Sequence, residues 1–395
     1  MPRFAILGIL GLSVLCTCTD APLSSPSGQI RVYTRTSGLL LDRDGYVVTL
    51  DSQQVKTVGP NDHVSFQNVA LGRHLAELTG VAQNCLPSDT AVAVTVSAGV
   101  DVILPVDVLC MGPVPEDVEI AFVRDGVVHG MRADGSGIVD LTGHFSGDPA
   151  SSPDGSRLAF VSYHHDTAGD IYVVRADGTG LRQLTRGPGL DREPAWSPDG
   201  TKIVFRRGSA IGVTATGDLY LVDLAGGKLL NITQTRTSEA APSWSPDGSR
   251  IAFERLDQDA ETTDIFVRMV GDGSEINLTN NRNVDILNRE PSWSPDGTTL
   301  AFRRAIRGGS SGYDIWLMNS DGTGQHLLIA LADADLEPDW SPDGTKILFA
   351  GGTGIYQIRP DGTGLTTLTG GGSISPDHSP SWRPRPGGSG HAGRR

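Results

Sequence analysis

The sequence predicts an all-β chain: a small β-sandwich, then a six-bladed β-propeller of four-stranded blades closed by pairing of its N- and C-terminal strands. Three observations predict it. The pentapeptide WSPDG recurs, starting at Trp196, Trp244, Trp293 and Trp340. Counted from a degenerate SSPDG at Ser151, successive PDG turns lie 45, 48, 49 and 47 residues apart, the period of a propeller blade. Fifty glycines and 24 prolines in 395 residues demand many turns between short elements, as all-β chains do.

Residues 1–18 read as a targeting signal. Arg3 supplies a positive charge, Phe4 to Leu15 form an apolar run too short to span a bilayer, and the polar stretch TDAPLSSPSG follows as a linker over 19–27. Export to the periplasm or outer surface is the expectation. Within LCTC, Cys18 stands three residues after Leu15 and resembles the acylated cysteine of a bacterial lipoprotein box, although Thr17 replaces the small residue usual before it. A plain secretory signal cut nearby is the alternative. The remaining cysteines, Cys85 and Cys110, are an even count in an exported chain and suggest a disulfide, with two separate buried thiols as the other reading.

Residues 28–112 alternate in strand fashion through IRVYT, YVVTLD, HVSFQNV, RHLAELTG, AVAVTV and VDVILPVDVLC, separated by turns such as DRDG and GPND. A small antiparallel sandwich is the economical reading. FQNVALGRHLAELTGVAQNC is similar to the turn and strand of carboxypeptidase-regulatory-like and PEGA-type modules of surface proteins. LDRDG looks faintly like a calcium loop, but Leu40 stands where an EF-hand needs a carboxylate, so it reads as a turn.

Over 117–384 each unit repeats four strands. One carries Phe third after its turn, ending at Phe122, Phe160, Phe205, Phe253, Phe302 and Phe349; a second follows (VVHGM, DIYVV, DLYLV, DIFVR, DIWLM, GIYQI), then a third (VDLT, RQLT, LNIT, INLT, HLLI, TTLT), and the tryptophan strand is the fourth. The first unit lacks a tryptophan strand before it, and the last, around Trp382, has no Phe strand after it, so those two should pair and staple the ring, removing free sheet edges. Within SPDG, Pro presets φ, Asp accepts local backbone bonds and Gly takes the positive φ of the turn. The indole should wedge between neighbouring blades. Residues 385–395 are low-complexity, and disorder is expected there.

These P-x-W-S-P-D-G … IAF … DIY … LT units resemble the PD40 (WD40-like) propeller of the TolB family. The resemblance implies the propeller fold and an envelope protein, peptide or glycan as partner. Similar blades occur in prolyl oligopeptidase-type peptidases and in oligogalacturonate lyases, so function does not follow from the repeat. The sandwich stands where that family carries an α/β domain, which puts a Tol–Pal partnership in doubt.

No catalytic constellation is legible. Gly308-Gly309-Ser310-Ser311-Gly312 satisfies G-x-S-x-G but lies in a loop with no helix to follow. An alternative polysaccharide-degrading enzyme resembling oligogalacturonate lyase would need a metal held by imidazoles converging on the channel, the candidates being His129, His144, His164, His165, His326 and His378. Adjacent histidines in HHD point oppositely and favour a solvated loop.

Charge is more informative. Pro113 to Arg383 carries 23 Lys/Arg against 37 Asp/Glu, the whole of the net charge of -14, which excludes nucleic acid as a partner. The residue before the proline of each tryptophan strand is Asp148, Glu193, Ala241, Glu290, Glu337 or Ser379. With that strand innermost, four carboxylates gather at one channel mouth and could draw in a cation such as Ca2+ or a basic segment of a partner; pairing with Arg192 and Arg289 is the competing reading. Arg206/Arg207 and Arg303/Arg304 repeat at equivalent strand ends, as a rim patch or, on the simpler view, as blade-edge salt bridges.

Overall fold

The computed structural model describes residues 27–164, 168–209, 217–257, 262–280, 285–306, 312–331, 335–352, 354–370 and 376–385. The targeting segment with Cys18, the G-x-S-x-G serines, His165 and the tail from 386 lie outside these residues. Every regular element described is a strand.

The N-terminal strands form two four-stranded sheets. One is ordered His63–Ala70, Ser27–Gly38, Asp101–Cys110, Cys85–Pro87; the other Gln54–Val58, Tyr46–Leu50, Gly72–Thr79, Ala91–Val96. Alternation drives them together: Ile30, Val32, Tyr46, Val48, Leu50, Phe66, Leu78, Val94, Leu104 and Val106 all turn into one shared core. The pairing is not wholly antiparallel, because Ser27–Gly38 and Asp101–Cys110 run side by side in the same direction. They are the first and last long strands of the unit, so no hairpin constrains their sense. Cys85 and Cys110 are cross-strand partners joined by a disulfide. In LDRDG, Asp42 is buried and accepts the N–H groups of Asp44 (3.2 Å) and Ala82 (2.9 Å), a turn brace rather than a free ligand.

The later strands fall into four-stranded groups, here numbered as blades. Blade 1 holds Ile120–Arg124, Val127–Met131 and Val139–Asp140, and its fourth strand is the C-terminal His378–Trp382, paired with Ile120–Arg124 as the repeat register demands. Blade 2 is Ser146–Ser151, Arg157–Ser162, Asp170–Arg175, Arg182–Gln183; blade 3 is Gly189–Trp196, Lys202–Ser209, Gly217–Asp223, Leu229–Asn231. Blade 4 is Ser238–Trp244, Arg250–Asp257, Thr262–Met269, Glu275–Asn277; blade 5 is Ile286–Trp293, Thr299–Ile306, Tyr313–Asn319, His326–Ile329; blade 6 is Asp335–Trp340, Ile347–Gly351, Gly354–Ile358, Thr366–Thr367. A single parallel bridge, Thr263 to Leu287, joins the sheets of blades 4 and 5.

The first strand of each of blades 2 to 6, and His378–Trp382 in blade 1, packs against its counterparts in both neighbours all the way round, which makes these strands the innermost ring. Tryptophans 196, 293, 340 and 382 are 6–9% exposed, and each sits in a core shared by two adjacent blades. Trp244 occupies the same place between blades 3 and 4, half-buried. Blade 2 has Ser151 instead, and there Leu109 at the end of Asp101–Cys110 and Met111, Val114 and Val118 of the connecting segment fill the interface between blades 1 and 2. The N-terminal sheets are therefore rooted in the one described blade junction that lacks an indole.

The SPDG turns form one repeated network. In each, the Ser hydroxyl donates to the Asp carboxylate (Ser152, Ser197, Ser245, Ser294 and Ser341, 2.5–2.6 Å) and the carboxylate accepts a backbone N–H two residues on at 3.0 Å. Gly155, Gly200, Gly248, Gly297 and Gly344 close these turns at φ of 65–71°, which a side chain would resist.

Candidate functional site

Every innermost strand breaks register at its proline, a β-bulge between residues such as Arg192 and Ala195 or Arg289 and Ser292. The residue before the proline takes a left-handed conformation in all six: Asp148 (φ 45°), Glu193 (56°), Ala241 (49°), Glu290 (52°), Glu337 (56°) and Ser379 (49°). Non-glycine residues hold that conformation only when surroundings repay it. Here the bulged N–H is turned toward the preceding blade and captured there. Asp148 accepts the N–H of Glu193 (3.1 Å), Glu193 that of Ala241 (2.6 Å), Glu290 that of Glu337 (2.7 Å), and Glu337 that of Ser379. Ala241 has no carboxylate to offer, and Glu254, from the adjacent strand of its own blade, accepts the N–H of Glu290 at 3.0 Å in its place.

The structure thus brings Asp148, Glu193, Glu290 and Glu337 into one ring, at mid-strand in the channel wall and as acceptors from blade to blade. Burial pushes the Glu193 carboxyl up to about 7, with Asp148 adding to it and the Ala241 N–H opposing. Glu290 and Glu337 are likewise raised by burial, opposed in Glu290 by Arg303 and in Glu337 by the Ser379 N–H. Asp339, which accepts the N–H of Trp382 at 2.8 Å, is pushed up to about 6 by burial. Calcium fits this donor set poorly, because four of these oxygens already accept N–H bonds and Arg303 pairs with Glu290 at 2.7 Å. Among the described residues no group of three or more His, Cys, Asp and Glu could hold a metal.

A second set of charges was only half legible in the sequence. Two residues past the repeated Phe stand Arg124, Arg207, Arg255 and Arg304; two before the bulge stand Asp377, Asp191, Glu239 and Asn288. They clamp each other: Arg207 to Asp191 at 2.5 and 2.6 Å, Arg124 to Asp377 at 2.6 and 2.8 Å, Arg255 to Glu239 at 2.8 Å, Arg304 to Asn288 at 2.6 Å. Each guanidinium also lies over its Phe ring at 5.1–5.6 Å. Arg207, Arg303 and Arg304 therefore serve as intrablade braces. The available signal was the pairing across repeats, since blade 2, with Ser162 in place of the Arg, has Ser146 in place of the acid.

Among the described histidines only His144 and His164 come near each other. His129 bonds the carbonyl of Val127, His326 that of Gly324, and His378 the hydroxyl of Ser379. His144 and His164 approach to 6.0 Å between ring centroids, but His144 is held by the Thr142 carbonyl and Ser162 hydroxyl and His164 by Ser37 of the N-terminal sheets.

What stands out on the face carrying the loops between second and third strands is aromatic. Phe145 is 63% exposed and packs on Tyr163 at 5.1 Å, Arg192 lies over Tyr163 at 5.4 Å, and Arg289 and Arg303 lie over Tyr313 at 6.0 and 4.2 Å. Arginine and tyrosine arranged in this way are favoured anchors of protein interfaces.

Comparison with known proteins agrees with the geometry. Residues 127–210 and 213–387 match the family model described as the TolB beta propeller domain. The Tol-Pal system protein TolB of Nitratidesulfovibrio vulgaris is 40% identical over 62 residues, 15% of this chain and 14% of that protein. A Bacillus subtilis protein, the uncharacterized peptidase YuxL, is 42% identical over 59 residues, 15% of this chain and 9% of its own length. These sequence matches therefore span only a small part of either relative. The crystal structure of TolB from Acinetobacter baumannii superposes with a TM-score of 0.54 at 20% identity, covering 69% of this chain and 68% of that one. On the span of the family match and the fold together, the chain belongs to the TolB β-propeller family.

Proposed function

We propose that this is an exported cell-envelope protein whose propeller binds a protein, peptide or glycan partner and performs no catalysis. The observation that carries the reading is the Phe145–Tyr163–Arg192 cluster, with Arg289 over Tyr313 on the same face. An exposed phenylalanine flanked by stacked guanidinium and phenol groups supplies apolar area and charge together, as partner recognition requires. The Tol-Pal name of the relatives supports an envelope partner, and a lipid anchor at Cys18 would hold the protein at a membrane. The carboxylate ring serves the propeller's own closure in this reading.

A photo-crosslinking residue at position 145, irradiated in envelope fractions, should capture a discrete partner. The capture should vanish with Arg192→Ala at unchanged melting temperature. Crosslinking that is diffuse, or indifferent to Arg192, rejects this surface. Radiolabelled fatty acid should enter the wild-type chain and not Cys18→Ala.

A further inference from the structure

The innermost strands end in the SPDG turns, and between those of blades 2 and 3 lies a cleft of about 590 Å³, within the size range of ligand sites. Its lining includes Arg157, Arg175 and Arg182, with Val173, Pro198 and Leu224 as apolar surface. Asp154 and Asp199 stand at it too, their carboxylates engaged by turn hydroxyls and N–H groups. Three exposed arginines are unexpected on a chain of net charge -14.

The repeat itself shows that the fold does not need them. In register with Arg157, Arg175 and Arg182, blade 3 has Lys202, Asp223 and Leu230, blade 4 Arg250, Met269 and Ile276, and blade 5 Thr299, Asn319 and His326. Blade 6 has Lys346 one residue before its strand, then Arg359 and Thr366. Only blade 2 carries arginine at all three places. Arg182 donates to the Leu224 carbonyl across the cleft at 3.0 Å, Arg175 reaches only Thr179 at 3.4 Å, and no hydrogen bond or ion pair holds the Arg157 guanidinium among the described residues.

The neighbouring junction shows what such a cleft accepts. Between blades 1 and 2 the chain's own irregular segment after Cys110 is seated, with the Val114 N–H bonded to the Ala176 carbonyl at 2.7 Å. Ala176 is the blade 2 counterpart of Leu224: each N–H bonds a residue of its own SPDG turn, Ser156 and Thr201 respectively. The same kind of groove is thus filled by the chain's own backbone at one junction and left lined with guanidinium groups at the next. We propose that the cleft between blades 2 and 3 is a docking groove for an extended acidic segment of a partner protein, a second surface separate from the Phe145 cluster. The chain's own outlying segments do not suit it: residues 1–26 contain one carboxylate, Asp20, and residues 386–395 contain none but two arginines. Guanidinium groups pair bidentately with carboxylates, and the spread of three along the cleft suits a run of side chains rather than one small anion.

The test uses fluorescence anisotropy of the full chain with a labelled octapeptide of alternating Glu and Gly, and with its Gln/Gly counterpart. The acidic peptide should bind, the Gln peptide at least tenfold more weakly. Arg157→Gln/Arg175→Gln/Arg182→Gln should lose at least tenfold, whereas a control of equal charge change, Arg132→Gln/Lys346→Gln/Arg359→Gln, should lose less than twofold. Equal loss in both triples would show general charge attraction and overturn the proposal. So would groove-dependent binding of an oligouronate without the peptide, or a self-associated state in sedimentation that the groove triple abolishes, which would make a second copy the occupant. Phe145→Ala should leave peptide binding unchanged, so this surface and the proposed partner face fail separately.

Discussion

Deleting Pro380–Arg395 should abolish cooperative unfolding of the propeller, whereas deleting Gly387–Arg395 should leave it intact. The longer deletion removes Ser381 and Trp382 from the ladder on Ile120–Arg124. Trp382 is 9% exposed and wedged between blades 6 and 1; roughly 200 Å² of apolar burial at about 25 cal/mol per Å² is about 5 kcal/mol, an upper figure. Arg383, 6% exposed, donates at 3.1 Å to the carbonyls of Gly155, Pro115 and Val118, and its loss strands those acceptors at about 1–3 kcal/mol each. Together the loss is roughly 8–14 kcal/mol, comparable with the roughly 5–15 kcal/mol that holds a typical domain. Scanning calorimetry and near-ultraviolet circular dichroism would read it, with Trp382→Ala as an intermediate costing about 3–5 kcal/mol. A cooperative transition of the Pro380 truncation within about 5 °C of the full chain would refute strand closure as the source of cooperativity.

Stability should fall as pH rises from about 4 to 7. Glu193 is raised by burial to about 7 and Asp339 to about 6, so their contribution is complete below the unfolded carboxylate range and is lost as pH passes through the raised values. Glu193→Gln keeps an acceptor for Ala241 and should flatten that slope, recovering up to about 3 kcal/mol at pH 8; an unchanged slope in urea titrations would sink the assignment. Acid acts on the other set: Asp199 and Asp247 are lowered to about 2, chiefly by the Ser197 and Ser245 hydroxyls, so their stabilisation is lost as pH falls from about 4 to 2, and Ser197→Ala should move acid unfolding to higher pH. Met111→Ala should cost about 2–5 kcal/mol and expose the segment around Gly112 to limited proteolysis; unchanged cleavage would mean that the N-terminal sheets are held elsewhere. Cys85→Ala/Cys110→Ala should cost about 3 kcal/mol by denaturant melt.

Local signals were enough for much of this fold. SPDG spells a turn because each of its residues has a conformational or hydrogen-bonding reason to stand there, and the flanking period-2 runs leave no other secondary structure open. The offset between the first Phe strand and the last tryptophan strand told which two strands close the ring, since a missing partner at one end and a spare at the other can be counted. Cys85 and Cys110 could be paired because no other cysteine lies outside the targeting segment.

The use of the ring carboxylates could not be read in that way. Glu193, Glu290 and Glu337 recur visibly, but whether they face a ligand or a neighbour depends on the left-handed bulge that turns the next blade's N–H toward them, and a left-handed non-glycine residue leaves no mark in sequence. Nor could the sequence show that Glu254, on another strand, stands in for Ala241, because that substitution is made across space. Ser151 looked like a decayed tryptophan position; only packing shows Leu109, Met111 and Val114 entering there. What the sequence alone determined was everything governed by short-range turn chemistry and by counting repeats. What the tertiary structure decided was which side chains are consumed between blades and which, like Phe145 and the arginines at 157, 175 and 182, are left facing outward, because burial and partnership are properties of the closed ring and not of any one repeat.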